Sequence, residues 1–197
     1  MKVLNKPTIK TKVLASFGVL FFLIALGLGS YLVSYKNNEI NENKFTISQS
    51  LAFGNKPVMV IFYTLAYILF IPLVLFRGGQ TSMMYIRLFL LILSYSLLIT
   101  IIWITTYRNT QQHYIFAAII FISNLLFQLI TLISFYNYVN YKKTLIGTGF
   151  IQLIIVILLF IFLSNSIHSK LYSQLFASFE NVTVASMGSI ILALGFI

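Results

Sequence analysis

The chain has 197 residues, of which 59% are hydrophobic and 8% charged, and its mean hydropathy is +0.96. Soluble domains are nearer about half apolar and about a quarter charged, so a water-soluble globular protein is excluded. Three acids, two His and no Asp or Cys leave little from which to build a hydrolytic site. The lack of Cys also excludes disulfides, thiolate metal sites and cysteine nucleophiles.

The formal net charge of +10 comes from 13 basic residues. They punctuate apolar runs instead of forming one stripe, which is the pattern of membrane topology and not of nucleic acid binding.

A helix of ~20 apolar residues spans a hydrocarbon core of ~30 Å. Six stretches approach that length, at about 13–34, 57–76, 88–107, 114–138, 145–164 and 178–197. They are continuously apolar, which argues against the alternation of a β-barrel. The expected architecture is all-α: a polytopic six-helix transmembrane bundle forming a single domain over 1–197.

The first run follows Lys2, Lys6, Lys10 and Lys12. It is too long for a signal peptide and lacks a small-x-small cleavage site, so it reads as a retained helix. An Asn-rich polar segment from about Tyr35 to Lys56 follows. Pro57 suits the first turn of the second helix, where a missing N–H is harmless, and Pro72 should kink that helix.

Arg77 and Arg87 read as flanking the second loop, and Lys142 and Lys143 lie in the fourth. With the four N-terminal lysines they make eight bases on one side. Lys36, Lys44, Lys56, Arg108 and Lys170 make five on the other. The positive-inside rule then places both termini in the cytosol. The basic residues Lys10, Lys12, Lys142 and Lys143 should contact anionic lipid headgroups. All three acids, Glu39, Glu42 and Glu180, fall on the opposite face. Counted from Asn181 the last run is short for a span, so it starts earlier, near Leu175, or the chain continues past Ile197.

Residues able to carry chemistry are few. His113, His168 and Glu180 are predicted on one membrane face, but no two of them have metal-ligand spacing. No metal, cofactor or catalytic site is expected. Glu180 is accounted for by a position near a helix N-terminus.

Inside the helices, Asn124 and Gln128 are four residues apart and share a face that Thr131 extends. Gln152 in the fifth run completes a prospective polar seam, with Ser94, Ser96 and Thr100 in the third. Uncharged amides in lipid usually bond neighbouring helices. A transporter's coupling site normally needs an intramembrane charge, and the apolar runs show none. Gly18, Gly27, Gly29, Gly147, Gly149 and Gly188 read as small-residue helix contacts.

Three ordered motifs resemble the membrane family of damage-regulated autophagy modulators, FRAG-type GPI-lipid maturation proteins and SFK-type phosphoinositide regulators (DRAM/FRAG/SFK). Thr46-Ile47-Ser48 precedes Pro57 and Ile61-Phe62; His113-Tyr114 precedes Ala117-Ala118, with Gln128 following. Ala177-Ser178-Phe179-Glu180-Asn181 is similar to the element that opens the last helix, with Asn where the family has Trp. Gln49 and Ser50 stand where an acidic residue or Gly is expected. The resemblance implies functional roles for Ser48, His113, Gln128 and Glu180. It also implies a regulator of autophagy or membrane lipids without catalysis of its own, on endomembranes (lysosome, vacuole or Golgi) or the plasma membrane. Two alternatives are a small transporter or channel, motivated by the seam, and an accessory subunit with protein partners in the membrane.

Overall fold

The computed structural model describes residues 7–36, 56–77, 81–104, 110–135, 154 and 186–196. These form α1 (Ile9–Lys36), α2 (Lys56–Phe76), α3 (Thr81–Ile104), α4 (Thr110–Phe135) and a shorter α5 (Ser186–Phe196). Four segments are long and apolar enough to cross a membrane: Ile9–Gly27, Lys56–Phe76, Ser82–Trp103 and Ile115–Ser134. The fifth run, Ser48, Gln152, His168, Glu180, Lys142 and Lys143 lie outside the described residues, apart from Ile154.

α1 starts at a reciprocal cap. The Thr11 N–H donates to Thr8 Oγ1 at 3.2 Å and the Thr8 N–H donates to Thr11 Oγ1 at 3.0 Å, satisfying two helix-start donors. The helix therefore begins ahead of the apolar run that starts at Val13. Likewise α3 begins at Thr81, well before Leu88, and takes in Arg87. Helical hydrogen bonding does not stop where hydropathy dips, because the backbone of a helix bonds within itself whatever side chain it carries. α2 continues through Pro72 to Phe76.

α1 packs antiparallel on α2. Phe22 makes edge and tilted contacts with Tyr63, Tyr67 and Phe70, at centroid distances of 5.4, 6.4 and 6.2 Å. Phe21 meets Phe62 at 6.1 Å. The absence of a side chain on Gly18 admits Phe70, whose Cε1 lies 2.6 Å from where a Cβ would stand. On α2, Met59, Tyr63, Ala66, Tyr67, Phe70, Leu73 and Val74 are buried at helical spacing, while Ile61, Leu65, Ile68 and Leu75 are exposed.

α5 lies along α1 and runs opposite to it. Val19 Cγ1 is 3.6 Å from the Cβ position of Gly188, and Gly195 comes so close that an added Cβ would collide with Ala15 Cβ. Gly27, in contrast, has nothing within 4 Å of its Cβ position among the described residues. Among these it is not the helix contact expected from its small size.

The distribution of polarity identifies the solvent. Thr11, Arg77, Arg87, Ser94, Ser123, Asn124, Gln128 and Thr131 are buried, whereas Phe17, Leu20, Leu23, Ile68, Phe89, Ile122 and Ile133 are exposed along the helices. Water would penalise such long exposed apolar stripes; hydrocarbon favours them and drives polar groups inward. The protein is a helical membrane protein.

Candidate functional site

Two features gather the polar side chains. The first is a seam where α2, α3 and α4 meet. The Ser94 hydroxyl donates to Asn124 Oδ1 at 2.8 Å, a buried bond between α3 and α4. Tyr67 Oη lies 3.3 Å from Ser94 Oγ. A serine hydroxyl has one proton, and Ser94 has given it to Asn124, so Tyr67 is the donor in that pair.

The same reasoning orients the neighbouring pair. Thr64 donates to the Val60 carbonyl at 2.6 Å, so Tyr95 must donate to Thr64 Oγ1, which is 2.9 Å away. The result is two directed chains, Tyr67 to Ser94 to Asn124, and Tyr95 to Thr64 to backbone. The rings of Tyr67 and Tyr95 pack at 5.0 Å, which fixes both donors.

One turn along α4 from Asn124, Gln128 is 1% exposed. Among the described residues neither its Oε1 nor its Nε2 has a hydrogen-bond partner. Thr131 cannot donate to it, because its hydroxyl donates to the Phe127 carbonyl at 2.7 Å. Ser96 and Thr100, on the lipid side of α3, also bond their own helix backbone, to Ile92 and Ser96.

Arg87 adds a charge to this seam. It is 0% exposed, and its Nε makes a long bond of 3.4 Å to the Met83 carbonyl. Counting from the Ser94–Asn124 pair through antiparallel helices, Gln128 stands opposite Leu90 and Thr131 opposite Arg87. At 1.5 Å per residue, Arg87 is ~10 Å along α3 from Ser94. The expectation that no charge lies within a span is corrected: Arg87 is inside the segment Ser82–Trp103. It sits near the end of the apolar run, where a hydropathy reading assigns it to the loop.

The second feature is a basic membrane face formed by the start of α1 and the ends of α2 and α5. Arg77, 1% exposed, donates through Nε to the Leu194 carbonyl at 3.0 Å. The Thr11 hydroxyl lies 2.9 Å from the Thr8 carbonyl and 3.2 Å from the Gly195 carbonyl. Arg77 thus serves a last-turn carbonyl of α5, where the helix dipole is negative, and the Thr11 hydroxyl shares its one proton between the Thr8 and Gly195 carbonyls.

Lys10 Nζ lies 4.4 Å from the centroid of the Phe76 ring, and Lys12 Nζ lies 5.7 Å from that of Phe196. Both lysines are exposed. Every charged side chain at this face among the described residues is basic.

His113 falls in the first turn of α4, at the opposite end of the bundle from Arg77. It is not brought together with Gln128, which lies four turns further on. Among the described residues no group of three or more His, Asp or Glu could hold a metal.

No protein-family model, curated protein or solved structure matches the chain.

Sequence reasoning missed the arginines as interior residues, the Thr8–Thr11 cap and the close approach at Gly195. The cap had a signal in two hydroxyl residues three apart ahead of an apolar run. Burial of the arginines had none, since it depends on which helices surround them.

Proposed function

We propose that this chain is a six-span membrane regulator without catalysis of its own, engaging anionic lipid at its basic face. The observation that carries the reading is the convergence of Lys10, Lys12, Arg77 and the end of α5 on one end of the bundle. Interfacial lysines attract anionic headgroups at about 1 kcal/mol each. Aromatic neighbours hold their ammonium groups at that level. Lys142 and Lys143 would join them if the chain crosses as the apolar runs imply.

The six-span count draws support from parity. α1 starts and α2 ends at the basic face, and α4 returns toward it. The end of α5 is there too, so an even number of crossings separates α4 from that point. On this reading the last apolar run would supply one crossing and the run at about 145–164 the other. The positive-inside rule assigns this face, with both termini, to the cytosol.

The ordered motifs of the first outer loop, His113 and Glu180 support a DRAM/FRAG/SFK-like role in autophagy or in phosphoinositide or GPI-lipid regulation. Ser48, His113, Gln128 and Glu180 would serve that role. The address would be endomembrane or plasma membrane.

The test is the location of a tagged copy, read with and without selective permeabilisation. A tag following Ile197 that is reachable from the cytosol on lysosomal, Golgi or plasma membranes supports the reading. A mitochondrial address, or a tag exposed on the far face, overturns it and moves the weight to an accessory subunit with membrane partners.

A further inference from the structure

We propose that the basic face carries two separate lipid sites, one on each flank of the start of α1, and that each takes a phospholipid whose headgroup bears a single net negative charge. The inference rests on the reading above, that this face meets anionic lipid, and names the class of lipid it holds.

The direction of Thr11 sets the geometry. Thr11 is buried, and its hydroxyl lies 3.2 Å from the Gly195 carbonyl, so this residue marks the inward side of α1. Each residue advances about 100° around a helix. Lys10 and Lys12 therefore leave α1 on opposite sides of that inward direction. The rings they reach confirm it. Lys10 Nζ stands 4.4 Å from the centroid of Phe76, at the end of α2, and Lys12 Nζ stands 5.7 Å from that of Phe196, at the end of α5. The two ammonium groups share one end of the bundle, with the body of α1 between them.

Arg77 does not link them. It is buried and donates through Nε to the Leu194 carbonyl, so its charge is turned to the interior. A headgroup with several phosphates is favoured where several cations cluster. Among the described residues this face offers its exposed cations one at a time.

One lysine on one aromatic ring suits a singly charged headgroup. An ammonium has three N–H donors. The ring takes the side that faces it, and the other donors are left for a phosphodiester or carboxylate oxygen, a charge-assisted bond. Phe76 and Phe196 are themselves partly exposed, so each ring also offers apolar surface to the acyl chains below the headgroup. Aromatic and lysine side chains divide their surface in this way at the membrane interface. Phosphatidylserine and phosphatidylglycerol both fit, since each carries one net negative charge.

The experiment counts lipids retained on the full chain, released from nanodiscs of phosphatidylcholine and phosphatidylserine into a mass spectrometer under native conditions. The Lys10→Gln/Lys12→Gln double variant supplies the background. Both lysines are exposed, so these variants should fold as the parent does. The parent should retain two more phosphatidylserines than the double variant, and each single variant one more. With a phosphatidylinositol bisphosphate in place of phosphatidylserine, the loss should again be one lipid per lysine.

A single bisphosphate lipid that disappears in either single variant overturns the two sites in favour of one shared pocket, and leaves the reading of an anionic-lipid face standing. Equal retention of phosphatidylserine and phosphatidylcholine by the parent overturns that reading and the inference together. Soluble glycerophosphate at matched ionic strength should leave the counts unchanged. Displacement of lipid by it would overturn a lipid site in favour of one for free phosphate.

Discussion

The α1/α2 interface and the α3/α4 seam are both buried helix pairs in one bundle, yet they are held by different physics. Between α1 and α2 the contact is aromatic: Phe22 sits among Tyr63, Tyr67 and Phe70, with Gly18 making room for the last of these. Between α3 and α4 a directed hydrogen bond from Ser94 to Asn124 is followed by an amide and a guanidinium. Lipid is as apolar as a leucine side chain, so burial alone gives little preference for helix contact over lipid contact. The first pair relies on shape, the second on polar groups that lipid cannot satisfy. Tyr67 joins the two regions, its ring in the first and its hydroxyl in the second.

The largest expected effect is at the aromatic pair. Phe22→Ala should destabilise the bundle by ~3 kcal/mol, the lower end of the range for Phe truncation, because the cavity term survives in lipid while the transfer term shrinks. Unfolding in mixed detergent micelles measures it, and a loss as small as that of a lipid-facing Phe17→Ala would contradict the shape argument.

Next comes Gly195→Leu, which inserts a side chain where even a Cβ meets Ala15 and the Thr11 carbonyl. A cost of ~1–3 kcal/mol is expected from overpacking. Crosslinking yield between α1 and α5 should fall in parallel, and an unchanged yield would mean that α5 does not depend on this approach.

A smaller value belongs to the polar pair. A double-mutant cycle with Ser94→Ala and Asn124→Leu should give a coupling of ~0.6 kcal/mol, and no more than ~2. Zero coupling would remove the hydrogen bond as a determinant of the seam. Smallest of all is the rim: Lys10→Gln should cost ~0.5 kcal/mol in stability through its contact with Phe76. Its effect should be clearer in binding to vesicles containing anionic lipid, where each lysine is worth ~1 kcal/mol.

The sequence carried the helices more faithfully than their ends. α2 was legible almost to the residue, since Pro57 marks its start and polar residues follow Phe76. α3 was not, because Arg87 interrupts the hydropathy without interrupting the helix. The shared face of Asn124, Gln128 and Thr131 was readable from spacing alone. That Ser94 is the partner of Asn124, while Ser96 and Thr100 bond only their own helix, depends on how α3 is rotated.

The glycines make the same point. Gly18 and Gly27 look alike in one apolar run, yet among the described residues Gly18 meets Phe70 and Gly27 meets nothing.

By itself, the sequence determined the solvent, the helical character of the described segments and the positions of the polar residues along each of those helices. Those are properties of single residues and their spacing, and lipid imposes them directly through the need to satisfy every backbone bond within a helix. The tertiary structure alone decided that Arg77 and Arg87 are interior, that Thr11 and Arg77 serve the end of α5, and that the Gln128 amide is buried. These depend on pairwise register and rotation, to which hydropathy is blind: turning α3 by about 100°, the step of one residue, would leave its composition unchanged and carry Ser94 away from Asn124.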